Sequence, residues 1–269
     1  MIRFANCKIN LGLHVTEKRN DGFHNIQTIF YPIHLKDIVE IISSTNQSFE
    51  YSNSGLPVTG SFENNLCYKA YKLVRNLFPD KVPEIKLHLH KTIPIGAGLG
   101  GGSANAAATL LLLNEKYSLD ISEKHLIEIA LELGSDVPFF ILNTPCFASG
   151  RGEILESINI DLSNYKMLIV NPKIHISTAW AFSKIIPTFP KYSLKEIIHS
   201  PIREWKNNLS NDFENSVFEH CPEVRFLKET LYTHGAIYAA MSGSGSTVFG
   251  IFDKEIEFNI NSNYFLKWI

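Results

Sequence analysis

The chain has 269 residues, 45% of them hydrophobic, and a formal net charge of −2. That length suits one large domain or two modest ones with ample core, and the near-neutral charge argues against a general nucleic-acid or membrane-surface binder, which leaves a small-molecule partner. No apolar run reaches the ~18 residues of a membrane span and MIRFANCKIN lacks the apolar centre of a signal peptide, so a cytoplasmic protein is expected.

Residues 2 to 15 alternate polar and apolar side chains, which predicts a strand carrying Lys8 and Asn10 on one face. RNDGFHN reads as a turn at Asp21-Gly22, and a second strand is expected from Ile26 to Ile42, interrupted near Pro32. The polar stretch SSTNQSFEYSNSGLPVTGS suggests loops and short edge strands. Leu66, Ala70, Leu73, Val74 and Leu77 recur at helical spacing over 64 to 78, with Asn64 or Asn65 as cap and Pro79 as stop. EIKLHLHK sets Ile85, Leu87 and Leu89 against Lys86, His88 and His90, a half-wet strand. His88 and His90 share a face and have the chemistry to bind a metal, but solvated strand residues are the better reading.

Beyond the glycine-rich stretch, Ser122 caps a helix in which Leu126, Ile129, Ala130 and Leu133 share a face and Gly134 closes it. Arg151 to Asn164 is polar and turn-rich, which puts a domain boundary near it and divides the chain into 1–155 and 156–269. YKMLIV is an apolar strand, and helices are expected near Thr178–Ile186, Leu194–Ile198, Asp212–Glu219 and Glu223–Thr230. AIYAAMSGSGSTVFGIF reads as strand, glycine-serine turn, strand, and the tail after Gly250 has no clear pattern. Cys7, Cys67, Cys146 and Cys221 form no C-x-x-C pair, so free, mostly buried thiols are expected.

PIGAGLGGGSANAA, Pro94 to Ala107, is the stretch around which the rest is organised, because its glycines run directly into a helix-forming segment. Glycines let the backbone approach a ligand closely, and the helix start after Ser103 offers free N–H groups and a positive dipole end, so Gly96 to Gly102 read as a phosphate cradle. A flexible linker would seldom be uncharged and then pass into ANAAATLLLL. The spacing also satisfies G-x-G-x-x-G, with Asp120 downstream, but the alternating strand before it and Pro94 weigh against a dinucleotide fold. A Walker A loop fails, since Gly102 is followed by Ser103-Ala104 instead of Lys and Ser or Thr.

That stretch closely resembles the ATP-binding loop of the GHMP kinases, and ANCKINLGLHV and MSGSGSTVFG resemble that superfamily's first and third motifs in order and spacing. CKINLGL, RNDGFHNIQTIF, GLGGGSANAA, GSDVPFF and NDFE are together similar to one of its families, the 4-diphosphocytidyl-2-C-methyl-D-erythritol kinases, over nearly the whole chain. The resemblance implies a two-domain α+β fold with ATP and substrate between the domains. It also implies transfer of the γ-phosphoryl group of ATP, with Mg²⁺, to the 2-hydroxyl of that substrate in non-mevalonate isoprenoid synthesis, by a monomer or homodimer. Cys7, where a small Ala or Pro is more usual, is a modest departure.

By the same resemblance Asp136 is the general base with Lys8 beside it, and Pro94, Gly96, Ala97, Gly98, Leu99, Gly100, Gly101, Gly102 and Ser103 bind ATP. From the residues alone, Asp136 is as well read as a turn or cap residue beside Gly134 and Ser135, and Ser103 as a simple N-cap. Ser103 is also a possible Mg²⁺ ligand. Phe23 and Phe182 match aromatics that sandwich the cytosine, with Trp180 an alternative to Phe182, and His24 matches a residue bonding the base edge. Asn10 and Thr178 match polar substrate contacts, and Ser242, Gly243 and Ser244 form a turn near the substrate diphosphate or the ATP phosphates. A mevalonate- or galactose-type kinase would lack GFH, and a nucleotide sensor would have no task for Asp136 and Lys8.

Overall fold

The structure is a computed structural model that describes residues 1–46 and 48–269. In chain order its first elements are β1 (Ile2–Lys18), β2 (His24–Ser43), β3 (Glu50–Gly55), a 3₁₀ turn (Phe62–Asn64), α1 (Leu66–Leu77), β4 (Ile85–Lys91), α2 (Gly101–Lys116), α3 (Glu123–Leu133) and α4 (Val137–Leu142). There follow β5 (Cys146–Ser149), β6 (Ile154–Ser157), β7 (Lys166–Asn171), α5 (Thr178–Ser183), α6 (Leu194–Ile197), α7 (Ile202–Asn208), α8 (Phe213–His220), α9 (Pro222–Thr233), β8 (Tyr238–Met241), β9 (Val248–Phe252) and β10 (Phe265–Trp268). This is an α+β chain in two compact units, neither of them a continuous stretch: Met1–Cys7, His34–Ile95 and Gly100–Thr144 form one, and Lys8–Ile33, Gly96–Leu99 and Pro145–Ile269 the other.

In the first unit β4 lies between β2, antiparallel, and β3, parallel. Its alternation is what the sequence predicts: Ile85, Leu87 and Leu89 are buried while Lys86, His88 and His90 are half-exposed. The two histidines are taken up by hydroxyls, His88 by Ser52 and Ser54 at 2.8 and 2.9 Å and His90 by Ser54 at 2.9 Å. Among the described residues no three His, Cys, Asp or Glu side chains gather as a metal site. β3 is the edge strand expected of the polar stretch, within which Gln47 lies outside the described residues. Asn65 caps α1, its Oδ1 accepting from the Cys67 N–H at 2.9 Å.

α2 is buried on nearly all sides, packed against α1, α3 and α4. A helix clad in Ala and Leu all round belongs inside, and each fully buried Leu contributes about 1.5–3 kcal/mol, so its first turn has an immobile base. It begins at Gly101, two residues before Ser103 and earlier than the sequence suggests, because Gly100 takes the left-handed conformation at the cap (φ +68°).

In the second unit β2 pairs β5, and β5 pairs β6, both antiparallel. A separate sheet has the order β10-β7-β9-β8 and is backed by α8 and α9 over a core that includes Leu168, Val170, Val217, Leu227 and Val248. Several expectations need correction here. β2 runs unbroken through Pro32, which lies beyond both the stretch paired with β5 (Thr28–Phe30) and the stretch paired with β4 (Ile38–Ser43), since proline's fixed φ is tolerated in extended backbone. α7 was not expected, α5 stops at Ser183, and the tail yields β10, a strand defined by pairing Phe265–Trp268 with β7. Cys7, Cys67 and Cys146 are buried and Cys221 is half-exposed. No helix of these residues is long and apolar enough to cross a membrane.

Candidate active site

β1 places Lys8 and Asn10 on one face, as period-two geometry requires, and both are buried, at 4% and 2% exposure. An ammonium this deep needs partners. Lys8 Nζ donates to Asn10 Oδ1 at 2.6 Å, reaches the Gly98 carbonyl at 3.4 Å and lies 4.9 Å from the centre of the Phe30 ring. Asn10 Nδ2 donates to Thr28 Oγ1 at 2.8 Å, and the Thr28 hydroxyl donates in turn to the Gly12 carbonyl at 2.6 Å. The Lys8 N–H donates to the Leu99 carbonyl at 3.0 Å, so β1 grips the glycine stretch by backbone and side chain together.

The glycine stretch is gripped from its other side by the β8–β9 turn. Ser242 Oγ donates to the Gly98 carbonyl at 2.8 Å and accepts from the Asn10 N–H at 3.3 Å. Gly96, Gly98 and Gly100 all have positive φ, and at Gly98 a β-carbon would stand 2.0 Å from the Ser242 carbonyl oxygen. A β-carbon at Gly96 would meet the His175 ring at 2.9 Å. Thr178, at the start of α5, is 3.1 Å from Ser244 through their hydroxyls. Gly243, between the two serines, also has positive φ.

In the first unit, the passage from β4 into Pro94 is fixed by Asp37, whose carboxylate accepts from the N–H groups of Thr92 (2.7 Å) and Ile93 (2.9 Å) and pairs with the buried Lys91 ammonium. That ammonium lies 2.9 Å from where a Gly101 β-carbon would be, which keeps the first turn of α2 bare of side chain there. Gly102 and Ser103 complete that turn, whose N–H groups have no intrahelical acceptor. Asp136 occupies the cap position of the short α4, before Val137-Pro138, but its carboxylate makes no capping hydrogen bond. The capping role open at the sequence level is therefore not what this side chain performs.

The aromatic residues divide into two pairs. His24 stacks on Phe182, with ring centres 4.9 Å apart and planes 19° from parallel, and Phe182 meets Phe213 edge-on. Trp180 turns to His220 instead, with centres 4.4 Å apart. Phe23 is 52% exposed, and the Arg151 guanidinium stands 4.8 Å from its ring centre. Burial, and after it the charge of Lys18, hold the His24 imidazole below its ordinary pKa, so the ring is neutral at pH 7.

The NDFE segment, known from the sequence only through its resemblance, has a structural task in every polar residue. Asn211 Nδ2 donates to the Met241 and Gly243 carbonyls, both at 2.8 Å. Asp212 accepts from the Val15 N–H at 2.8 Å and meets His14 at 3.0 Å, and Glu214 accepts from the Met241 N–H at 2.8 Å. Reasoning from residues missed these, together with Thr28 and Arg151. A cluster of Asn, Asp and Glu before an apolar helix was the available signal, and it reads equally as an N-cap.

Residues 65–144 match the model of the GHMP kinase N-terminal domain and residues 193–260 that of the GHMP kinase C-terminal domain. A 4-diphosphocytidyl-2-C-methyl-D-erythritol kinase of Bacteroides fragilis (strain YCH46) is 51% identical over 257 residues, covering 95% of this chain and 93% of that protein. A kinase of the same name from Parabacteroides distasonis is 48% identical over 262 residues, covering 97% and 95%. Among solved structures, a 4-(cytidine 5'-diphospho)-2C-methyl-D-erythritol kinase superposes with a TM-score of 0.79 at 31% identity, covering 93% of this chain and 90% of that one. Methanococcus jannaschii mevalonate kinase, at 16% identity and a TM-score of 0.71 over 94% of this chain and 90% of its own, shares the fold.

Proposed function

The chain belongs to the GHMP kinases and, within them, to the 4-diphosphocytidyl-2-C-methyl-D-erythritol kinases, and from that premise we propose how its residues divide the work. It uses ATP to phosphorylate 4-diphosphocytidyl-2-C-methyl-D-erythritol, a step of isoprenoid-precursor synthesis by the non-mevalonate route. In our reading the γ-phosphoryl group passes to the 2-hydroxyl, in the cytoplasm.

Phosphoryl transfer asks a protein for positioning, charge neutralisation and a proton acceptor. Asp136 accepts the proton of the attacking hydroxyl, and Lys8 offsets the negative charge that develops there. Backbone N–H groups from Gly96 to Ser103 cradle the ATP phosphates, helped by the positive end of the α2 dipole. Asn10, Thr178 and the turn Ser242–Ser244 hold the substrate's polar groups. Phe23 and Phe182 stack on the cytosine, while His24, neutral and able both to donate and to accept, bonds its edge. Mg²⁺ fits this donor set as an ion carried by the nucleotide, since Mg²⁺ takes one or two protein oxygens beside phosphates and water, and the Ser103 hydroxyl in the first turn of α2 would serve. When bound, it neutralises phosphate charge.

The observation that carries this reading is the buried Lys8 ammonium, held by Asn10 and touching the carbonyl of Gly98 within the glycine stretch. A buried cation held at the glycine stretch is placed to meet phosphate charge in a site shielded from water. The test is incubation with ATP, Mg²⁺ and the diphosphocytidyl substrate, followed by mass spectrometry. A singly phosphorylated product is expected, and Asp136→Asn should lower kcat by ~10²–10⁴ with substrate affinity retained. A folded sample that makes no product, or an Asn variant at wild-type turnover, would remove the assignment.

A further inference from the structure

Arg151 falls in the polar stretch that the sequence offers only as turn and boundary, yet it is among the most thoroughly positioned side chains near the aromatic pair. Its guanidinium carbon stands 4.8 Å from the centre of the Phe23 ring. One carboxylate holds both ends of the residue: Glu153 Oε2 accepts from the Arg151 backbone N–H, and Glu153 Oε1 lies 3.6 Å from the guanidinium Nε. Glu153 can fold back this far because Gly150 has no side chain, since a β-carbon there would stand 2.7 Å from Oε2, and its φ is +67°. The Gly150 carbonyl in turn accepts from the Ile26 N–H at 2.7 Å, which anchors the loop to β2 two residues after His24. The Phe23 N–H donates to Asp21 Oδ1 (3.1 Å), and Arg19 grips both oxygens of that carboxylate at 2.9 to 3.1 Å. Its ring, half in water, has no comparable restraint from the turn itself.

We propose that Arg151 is a positioning residue of the pyrimidine site, its guanidinium lying on one face of Phe23 so that the opposite face is ready for the base. This rests on the reading of Phe23 as the base's stacking partner. An exposed phenylalanine on a turn samples several rotamers, and binding a base to it freezes that freedom; a planar cation already stacked on the ring removes part of the cost before the ligand arrives. Arginine suits the task better than lysine, because the flat guanidinium stacks on a ring face while an ammonium is a strongly hydrated point charge. Glu153 and Gly150 then hold Arg151 in place.

The experiment is a double-mutant cycle of Arg151→Ala and Phe23→Leu, with steady-state kinetics against both substrates and a thermal melt for each protein. Arg151→Ala should raise KM for the diphosphocytidyl substrate by roughly three- to ten-fold, with kcat, KM for ATP and Tm little changed. Adding it to Phe23→Leu should raise that KM no further. A silent Arg151→Ala beside a damaging Phe23→Leu overturns the inference, and so do additive losses, which would mean that Arg151 acts on the substrate by itself. A silent Phe23→Leu takes away the stacking role on which the inference rests, an outcome told apart by which single variant is silent. Should the alanine variant melt early, Arg151→Lys keeps charge and stem but not the planar contact, and the same rise in KM is expected of it.

Discussion

Lys8, Asn10, Thr28 and Ser242 are each at most 4% exposed and bonded to one another or to shared neighbours, whereas Phe23, in the same unit, is 52% exposed and touched on its face by a single guanidinium. The first region is a closed polar lattice in which every atom's position depends on several others. The second is a pair of stacked contacts resting on a hairpin turn. In a lattice, a substitution propagates, because a buried donor left without its acceptor costs the full desolvation of that group. At the open aromatic contacts it stays local and costs the fold less. On the proposed division of work, the cradle for phosphates is built into the folded core, and the discrimination of one base is left to side chains at the rim.

Two glycines give that comparison its hardest test, since Gly98 in the lattice and Gly22 in the aromatic hairpin have similar φ, +77° and +84°. At Gly98 a β-carbon collides with backbone at 2.0 Å, while at Gly22 it meets nothing within 4 Å. Gly98→Ala is expected to cost about 3 kcal/mol or more and to abolish turnover, and Gly22→Ala about 1 kcal/mol from backbone strain. Chemical denaturation of both reads this directly. Equal losses would mean that the lattice yields as easily as the hairpin.

Lys8→Met separates stability from chemistry within the lattice. Removing the ammonium while keeping its stem leaves Asn10 Oδ1 without that donor, so a loss of about 1–3 kcal/mol in folding stability is expected while kcat falls by about 10² or more. A variant that unfolds would show Lys8 to be chiefly a structural strut.

The smallest effect belongs to His24. Its folded-state pKa lies below the ordinary value, so the folded protein favours the neutral ring; the stability this confers is present above about pH 6.5 and declines as pH falls through the depressed value. KM for the diphosphocytidyl substrate should accordingly be flat from about pH 8 to 6.5 and rise below that, as the ring gains a proton and loses its acceptor. His24→Ala should flatten the rise and reduce the preference for cytidine over uridine diphosphate by about five- to ten-fold. Calorimetric titration at two pH values checks both, and an acid-side rise that persists in the alanine variant would assign the titration elsewhere.

What was legible from the residues is what short-range chemistry writes. The alternation of β4, the cap of α1 at Asn65, the glycines that need positive φ and the strand-turn-strand around Ser242–Thr247 each follow from neighbours a few positions apart. Lys8 and Asn10 were placed on one face by the period of a strand, and their 2.6 Å contact needs nothing more. Resemblance then supplied Asp136, Phe23 and His24 as candidates, which no periodicity could single out.

Tertiary structure decided the rest, because contacts between distant segments leave no spacing to read. Ser242 bonds Gly98 across 144 positions, and Asp212 bonds Val15 across 197. Pro32 is carried within an unbroken β2, and Phe265–Trp268 is a strand only because β7 offers an edge. Whether Phe182 or Trp180 lies against His24, and whether Arg151 reaches the ring of Phe23, depends on where separate segments arrive in space. Local pattern selects elements through backbone preference and burial period; the partners of a side chain are chosen by the packing of the whole.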